Sequence, residues 1–220
     1  MLEEIIACHN DALERARPRL DDLHDATGIG PLAISHRPKT TGTIVDKLRR
    51  QPTLPLGSIQ DLAGIRVVAG CAFAGQDRLA AEAARRFPAD PRSPRTRDRR
   101  SEPSHGYRAV HVIVSFEDLS IEVQVRTIAQ HLWADLMERL ADRLGRGIRY
   151  GEDPVLPPMA DPAAGRMIIR AMMSISDDWN TDEAAFPPDS VLRLEELTES
   201  MWSGFSQAIA ESGVDLPALD

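Results

Sequence analysis

Two short runs of alternating residues, joined by an acidic turn and followed directly by a long amphipathic stretch, constrain this chain more than anything else in it. From Arg108 to Val114, the residues Val110, Val112 and Val114 fall on one side; from Ile121 to Val125, the residues Ile121, Val123 and Val125 do the same, with Glu117-Asp118 between the runs. A period of two marks strands with one apolar face, and the short separation makes the pair a hairpin. Thr127 then opens a helix predicted to run to about Leu144. Leu132, Leu136, Leu140 and Leu144 form its apolar stripe, and Gly145 and Gly147 break it.

The flanking sequence adds elements of both kinds. Leu2 to about Arg17 has helical spacing until Pro18 interrupts, and Thr43 to Arg50 is a short helix that Pro52 must end. Ile65 to Val68 is β-branched and bounded by Gly64 and Gly70, so it is predicted as a strand, with a helix from Asp77 to Phe87 behind it. The expected fold class is α/β (α+β), a mixed, mostly antiparallel sheet flanked by helices, occupying residues 1–150. Pro154, Pro157, Pro158 and Pro162 mark a linker into a helical C-terminal extension over 151–220, with helices predicted from Ala163 to Trp179 and from Ser190 to Ser212. In the last of these, Leu194, Leu197, Met201, Phe205 and Ile209 form a stripe suited to the core, a second copy of the chain or a regulatory partner.

With 220 residues the chain can bury a core without disulfides or structural metal. Cys8 and Cys71 lack metal or redox spacing, which fits a reduced, cytoplasmic protein. No apolar run is long enough to span a bilayer, and Glu3 and Glu4 replace the basic start of a signal peptide, so no membrane association is expected. A net charge of -8 argues against a general nucleic-acid coat. Cations nevertheless gather in two segments, Arg37 to Arg50 and Arg92 to Arg100, as a phosphate-handling pocket would require.

The polar sides of the two strands carry the candidate chemistry. Glu122, Gln124 and Arg126 lie opposite the apolar side of one strand, and Tyr107, Ala109 and His111 opposite that of the other. Either set alone fits an ordinary half-exposed strand. Paired, they could bring Tyr107, His111, Glu122 and Gln124 to a common face, where an aromatic ring beside a carboxylate and an amide suits a nucleobase near a metal-bound phosphate. Asp61 stands at the mouth of the preceding strand and Arg66 within it. Asp61 and Glu122 together are the oxygen ligands that magnesium needs against ATP, and an open pocket is expected around both. Arg37, Lys39, Thr43, Lys47 and Arg50 add phosphate clamps.

These motifs, Arg37-x-Lys39 with Thr43-Ile44 and Lys47, Asp61-Leu-Ala-Gly-Ile-Arg66, Gly106-Tyr107-Arg108-Ala109-Val110-His111, and Glu122-Val-Gln124-Val-Arg126-Thr127 followed by Trp133-Ala134-Asp135, resemble in order and spacing the synthetase domain of the RelA/SpoT homologues. The resemblance spans residues 35 to 150 and implies a nucleotidyltransferase-like fold. It also implies magnesium-dependent transfer of the terminal pyrophosphate of ATP to a 3′-hydroxyl. By position, Arg37 and Arg66 would sandwich the adenine, Lys39, Thr43, Lys47 and Arg50 would hold the phosphates, and Asp61 and Glu122 would bind magnesium. Tyr107 would stack on the acceptor base with His111 and Gln124 nearby, and Glu122 would help deprotonate the attacking hydroxyl.

Departures from the family pattern bear on the acceptor. Alarmone synthetases commonly carry a lysine just before Gly-Tyr, where this chain has Pro103-Ser104-His105, and a histidine after the Trp-Ala-Asp/Glu step, where it has Glu138-Arg139. Similar replacements occur in small RelA/SpoT-like toxins that pyrophosphorylate the 3′ end of tRNA and are commonly paired with an antitoxin. The expected acceptor is therefore a tRNA 3′ end, followed by Arg95, Arg97 and Arg99, with GDP or GTP as the alternative and a catalytically silent nucleotide-sensing module as the more distant one. Oligomerisation through the C-terminal helices is a further expectation. His24-Asp25 is the single His-Asp pair, so the hydrolase half of long RelA/SpoT proteins is not expected, and His9, His36 and His131 lack ligand spacing.

Overall fold

The computed structural model describes residues 2–30, 32–36, 41–53, 55, 59, 62–87, 95–156, 162–187, 203 and 206–207. Helix α1 (Leu2–Ala16) gives way to a 3-10 turn over Arg17–Leu20, in which Pro18 sits at the start, where its missing N–H is not needed. Helix α2 (Leu23–Thr27) ends on Gly28 in the left-handed region, φ 67°. Then come β1 (Leu32–His36), α3 (Thr41–Arg50), β2 (Ala63–Ala69), α4 (Phe73–Arg85), β3 (Arg95–Asp98), β4 (Val110–Phe116) and β5 (Leu119–Thr127). Helix α5 (Ile128–Leu144), a 3-10 turn over Arg146–Tyr150 and α6 (Pro162–Ala185) complete the described elements.

The chain forms two compact units. One comprises Met1–Ala69, Ala74–Asp98 and Val110–Arg126; the other Gly70–Phe73, Arg99–Ala109 and Thr127–Asp220. The first unit holds the sheet, in the order β1-β2-β5-β4-β3, with β1–β2, β3–β4 and β4–β5 antiparallel. Glu117 and Asp118, at φ 50° and 63°, close the β4–β5 hairpin as a two-residue turn of the kind whose twist matches the strands. Val110 faces Val125, Val112 faces Val123 and Val114 faces Ile121, so the register aligns the apolar rows, and one residue of slippage would break all of them.

The second unit is built on helix packing. Thr127 caps α5: its hydroxyl accepts from the Gln130 backbone N–H at 3.2 Å while the Gln130 side chain accepts from the Thr127 N–H at 3.3 Å. Trp133, Leu136, Met137, Leu140 and Leu144 then pack with Ile148, Ile168 and Met172. The Trp133 indole N–H donates to the Met172 carbonyl at 2.7 Å and ties α5 to α6. Among the described residues, no helix is long and apolar enough to cross a membrane.

The sheet and its flanking helices have the expected class. The structure adds two strands that the residue pattern does not announce, β1 and β3, and begins α4 at Phe73 instead of Asp77, with Gly75 and Gln76 buried in its first turn. Helix α6 continues beyond Trp179 to Ala185. The apolar stripe from Leu194 to Ile209 lies outside the described residues.

Candidate active site

The polar row of β5 is more enclosed than its alternation suggests. Glu122 is 7% exposed, Gln124 8% and Arg126 1%, so both faces of this central strand are buried. A charged or amide group in such a place needs hydrogen bonds, and these groups bond in a row along the strand. Arg126 donates from its guanidinium to Gln124 Oε1 at 3.1 Å, and Gln124 Nε2 donates to Glu122 Oε2 at 2.6 Å. From β4, His111 Nδ1 lies 2.9 Å from Glu122 Oε1. The guanidinium, which can only donate, fixes which way the Gln124 amide points, and the amide N–H then meets the carboxylate.

Register extends this row. His111 is the cross-strand partner of Gln124, and Arg97 of β3 is the partner of His111, so Arg97, His111 and Gln124 share one side of three adjacent strands. Arg97 is exposed and Arg99 half-buried just beyond β3; the backbone of Arg95 is paired with Ile113.

Tyr107 belongs to the second unit, in a turn that precedes β4. The Ser104 and Tyr107 backbones exchange hydrogen bonds at 3.0 and 3.2 Å, and the two central residues, His105 and Gly106, have φ of 50° and 80°. A two-residue turn with both centres left-handed demands glycine where space is also short. A Cβ on Gly106 would lie 2.6 Å from the Trp133 ring. The half-buried Tyr107 packs against the cluster around Trp133. The strand begins at Val110 rather than Arg108, whose buried guanidinium is engaged instead with Ser176 of α6, the Arg100 carbonyl and Asp177.

Of the other residues singled out from the sequence, Lys47 and Arg50 lie in the last turn of α3, and Arg66 is half-buried in β2 opposite Ser35. Asp61, Arg37 and Lys39 lie outside the described residues, as do the side chains of Thr43 and Arg95. The structure thus brings together His111, Glu122 and Gln124, with Arg97 in register.

Sequence reasoning missed Ser176 and Glu183. Both are buried on the inner side of α6, in the series Ala164, Ile168, Met172, Ser176 and Glu183. Two polar residues interrupting an otherwise apolar helical stripe were the available signal. Glu183 is 3% exposed, and burial pushes its carboxyl up to about 7, against the pull of a hydrogen bond from Thr127 and the charges of Arg100 and Arg108.

A carboxylate offers about four lone-pair directions. His111 and Gln124 meet one oxygen each of Glu122, and a carboxylate oxygen is a hard donor of the kind a magnesium ion takes. Among the described residues no group of three or more His, Cys, Asp and Glu side chains gathers as an all-protein metal cage. Magnesium ordinarily takes one or two carboxylates and completes its shell with water and substrate phosphates, so Glu122 fits that ion.

Residues 36–141 match the family described as a region found in RelA / SpoT proteins. An uncharacterised protein of Mycobacterium tuberculosis is 39% identical over 182 residues, covering 82% of this chain and 65% of that protein. The chain thus spans 65% of the length of that relative. Among solved structures, small alarmone synthetase 2 from Bacillus subtilis superposes with a TM-score of 0.60 at 18% identity, covering 83% of this chain and 94% of that one. Small alarmone synthetase 1 from Bacillus subtilis, bound to its product pppGpp, gives 0.59 at 19% identity, covering 92% and 97%. The solved structures share the fold: a five-stranded sheet with flanking helices and a helical C-terminal part. Residues 36–141, with the Glu122-Val-Gln124-Val-Arg126 strand and the Gly106-Tyr107 turn inside that span, thus carry the region found in RelA / SpoT proteins.

Proposed function

We propose that the chain is a magnesium-dependent pyrophosphokinase that transfers the β,γ-pyrophosphoryl group of ATP to the 3′-hydroxyl of an acceptor. The 3′-oxygen bonds to the β-phosphorus, the bond from that phosphorus to the α,β-bridging oxygen breaks, and AMP leaves. The observation that carries the reading is Glu122, a buried carboxylate with both oxygens aligned by His111 and Gln124 inside a RelA/SpoT domain. In this reading Glu122 would accept the proton of the attacking hydroxyl. Asp61 and Glu122 would hold magnesium, which supplies neutralising charge to the phosphates when bound. Lys39, Thr43, Lys47 and Arg50 would clamp those phosphates, Arg37 and Arg66 would enclose the adenine, and Tyr107 would stack on the acceptor base.

The preferred acceptor is the 3′ end of a tRNA, so that the enzyme would act as a translation-blocking toxin restrained by an antitoxin. Support comes from the Arg95-Arg97-Arg99 segment: Arg97 continues the row of His111 and Gln124, giving backbone phosphates a route toward the carboxylate. The second reading, synthesis of a guanosine alarmone from GDP or GTP, is favoured by the fold shared with a protein bound to its product pppGpp. Offering γ-labelled ATP with deacylated tRNA, GDP and GTP in one reaction decides between them. Label on the tRNA 3′ end is the expected result; guanosine tetra- or pentaphosphate with unlabelled tRNA would install the second reading. ATP left unconsumed would leave a nucleotide-sensing module.

Glu122→Gln tests the carboxylate. The amide keeps the shape, and neutral His111 can present an accepting nitrogen to it, so melting is expected close to wild type while kcat falls at least about a hundredfold. Near-normal turnover in the folded variant would remove Glu122 from the reaction.

A further inference from the structure

Ser176 lies midway along α6 and is buried. Its hydroxyl donates to the Gly106 carbonyl at 2.6 Å and accepts from Arg108 Nε at 3.0 Å. The remaining guanidinium nitrogens of Arg108 reach the Arg100 carbonyl and the Asp177 carboxylate. Arg99 N–H, meanwhile, bonds the Ala109 carbonyl at 2.9 Å. The Ser104–Tyr107 turn is thus fastened through its glycine carbonyl and through the arginine that follows Tyr107. On the side where a Gly106 side chain would project, Trp133 and the Met173 sulfur leave no room, at 2.6 and 2.8 Å from a Cβ.

Such fastening exceeds what the turn requires for itself. Its own two cross-bonds close it, yet His105 sits in the left-handed region that a side chain disfavours, so the turn is held in a conformation its own sequence does not favour. A stacking ring needs a fixed plane, and a turn that its own residues disfavour holds one only if its surroundings fix it. The bond from Ser176 selects one orientation of the Gly106–Tyr107 peptide, because the carbonyl it holds belongs to that peptide plane.

On the reading of Tyr107 as the platform for the acceptor base, we infer that Ser176, with Arg108 and Asp177, is a positioning residue for acceptor recognition: α6 sets the plane in which Tyr107 meets the base. Helix α6 lies beyond the matched family region, so the acceptor site of this chain extends past residue 141. Loss of the Ser176 hydroxyl leaves a buried carbonyl and a buried guanidinium N–H short of one partner each, and the effect falls on acceptor binding, not on ATP.

Steady-state kinetics on the full chain test this, varying ATP and then whichever of deacylated tRNA or GDP takes the label. Ser176→Ala is expected to raise the acceptor KM about tenfold while the ATP KM stays within about twofold. Ser176→Thr, which keeps the hydroxyl, is expected to restore the wild-type value. Tyr107→Ala is expected to raise the acceptor KM as well, and Ser176→Ala added to it is expected to change nothing more. A folded Ser176→Ala variant with unchanged acceptor KM, beside a Tyr107→Ala variant with a raised one, would overturn the positioning role and keep the stacking role. An unchanged acceptor KM in Tyr107→Ala would instead remove the stacking role, and the inference with it. Equal loss for ATP and acceptor would mark Ser176 as merely structural. If Ser176→Ala does not fold, Asp177→Ala, at an exposed position, carries the test: a smaller rise in acceptor KM supports the inference and none overturns it.

Discussion

Glu183 is the residue at which burial and charge conflict most directly. Desolvation lifts its carboxyl to about 7, one of its oxygens has no hydrogen-bond partner among the described residues, and Arg100, Arg108 and Thr127 only partly offset the cost. The folded value lies above the ordinary 4.5, so the native state holds its proton more tightly than the unfolded chain does. Its contribution to stability is therefore full below about pH 4.5 and is lost as the pH rises through about 7. The loss is on the order of 3 kcal/mol. Glu183→Gln removes the titration. Denaturant melts across pH 5 to 8 are expected to give a flatter profile than wild type, with the variant the more stable protein at pH 8; parallel profiles would show that Glu183 does not titrate in this range.

At the scale of elements, the junction from β5 into α5 joins the sheet to the helical unit. Thr127 is buried, caps α5 through the reciprocal bonds with Gln130, and also bonds Glu183. Thr127→Ala is expected to cost about 1 to 2 kcal/mol in chemical denaturation; an unchanged midpoint would mean that water replaces the cap. The position of this junction was legible in the sequence, because Thr followed three residues later by Gln before an apolar run is a helix-start pattern with a mechanical cause. The β4–β5 register was legible for a similar reason, since aligning Val110, Val112 and Val114 with Val125, Val123 and Ile121 leaves one solution. Strand β3 was not, because Arg-Thr-Arg-Asp has no apolar alternation and is held at the sheet edge by backbone pairing that side chains do not announce. Alternation also identified the polar side of β5 without revealing that it is covered, for a period of two distinguishes faces and says nothing of what lies over them. The clamp from Ser176 to Gly106 joins residues seventy positions apart, beyond the reach of local pattern.

Across the whole molecule, charge limits how an RNA acceptor can be held. A net charge of -8 repels a polyanion at long range, so affinity must come from a short local track rather than from the general surface. On the proposed reading Arg95, Arg97 and Arg99 would be that track, and Arg97 is in register with His111 and Gln124. Three contacts to single-stranded phosphates predict that the logarithm of tRNA affinity falls against the logarithm of salt with a slope of about -2. That slope is shallow beside the value expected of a protein coating a duplex. Replacing all three arginines with alanine is expected to bring the slope near zero and weaken tRNA binding, while the ATP KM stays within about twofold, because the cations proposed to hold ATP are others, among them Lys47 and Arg50 on α3 and Arg66 on β2. A wild-type slope already near zero would remove the arginine track from acceptor binding. A slope unchanged in the triple variant would move the phosphate contacts elsewhere, most directly to the basic last turn of α3, where Lys47, Arg49 and Arg50 would then have to serve acceptor and ATP together.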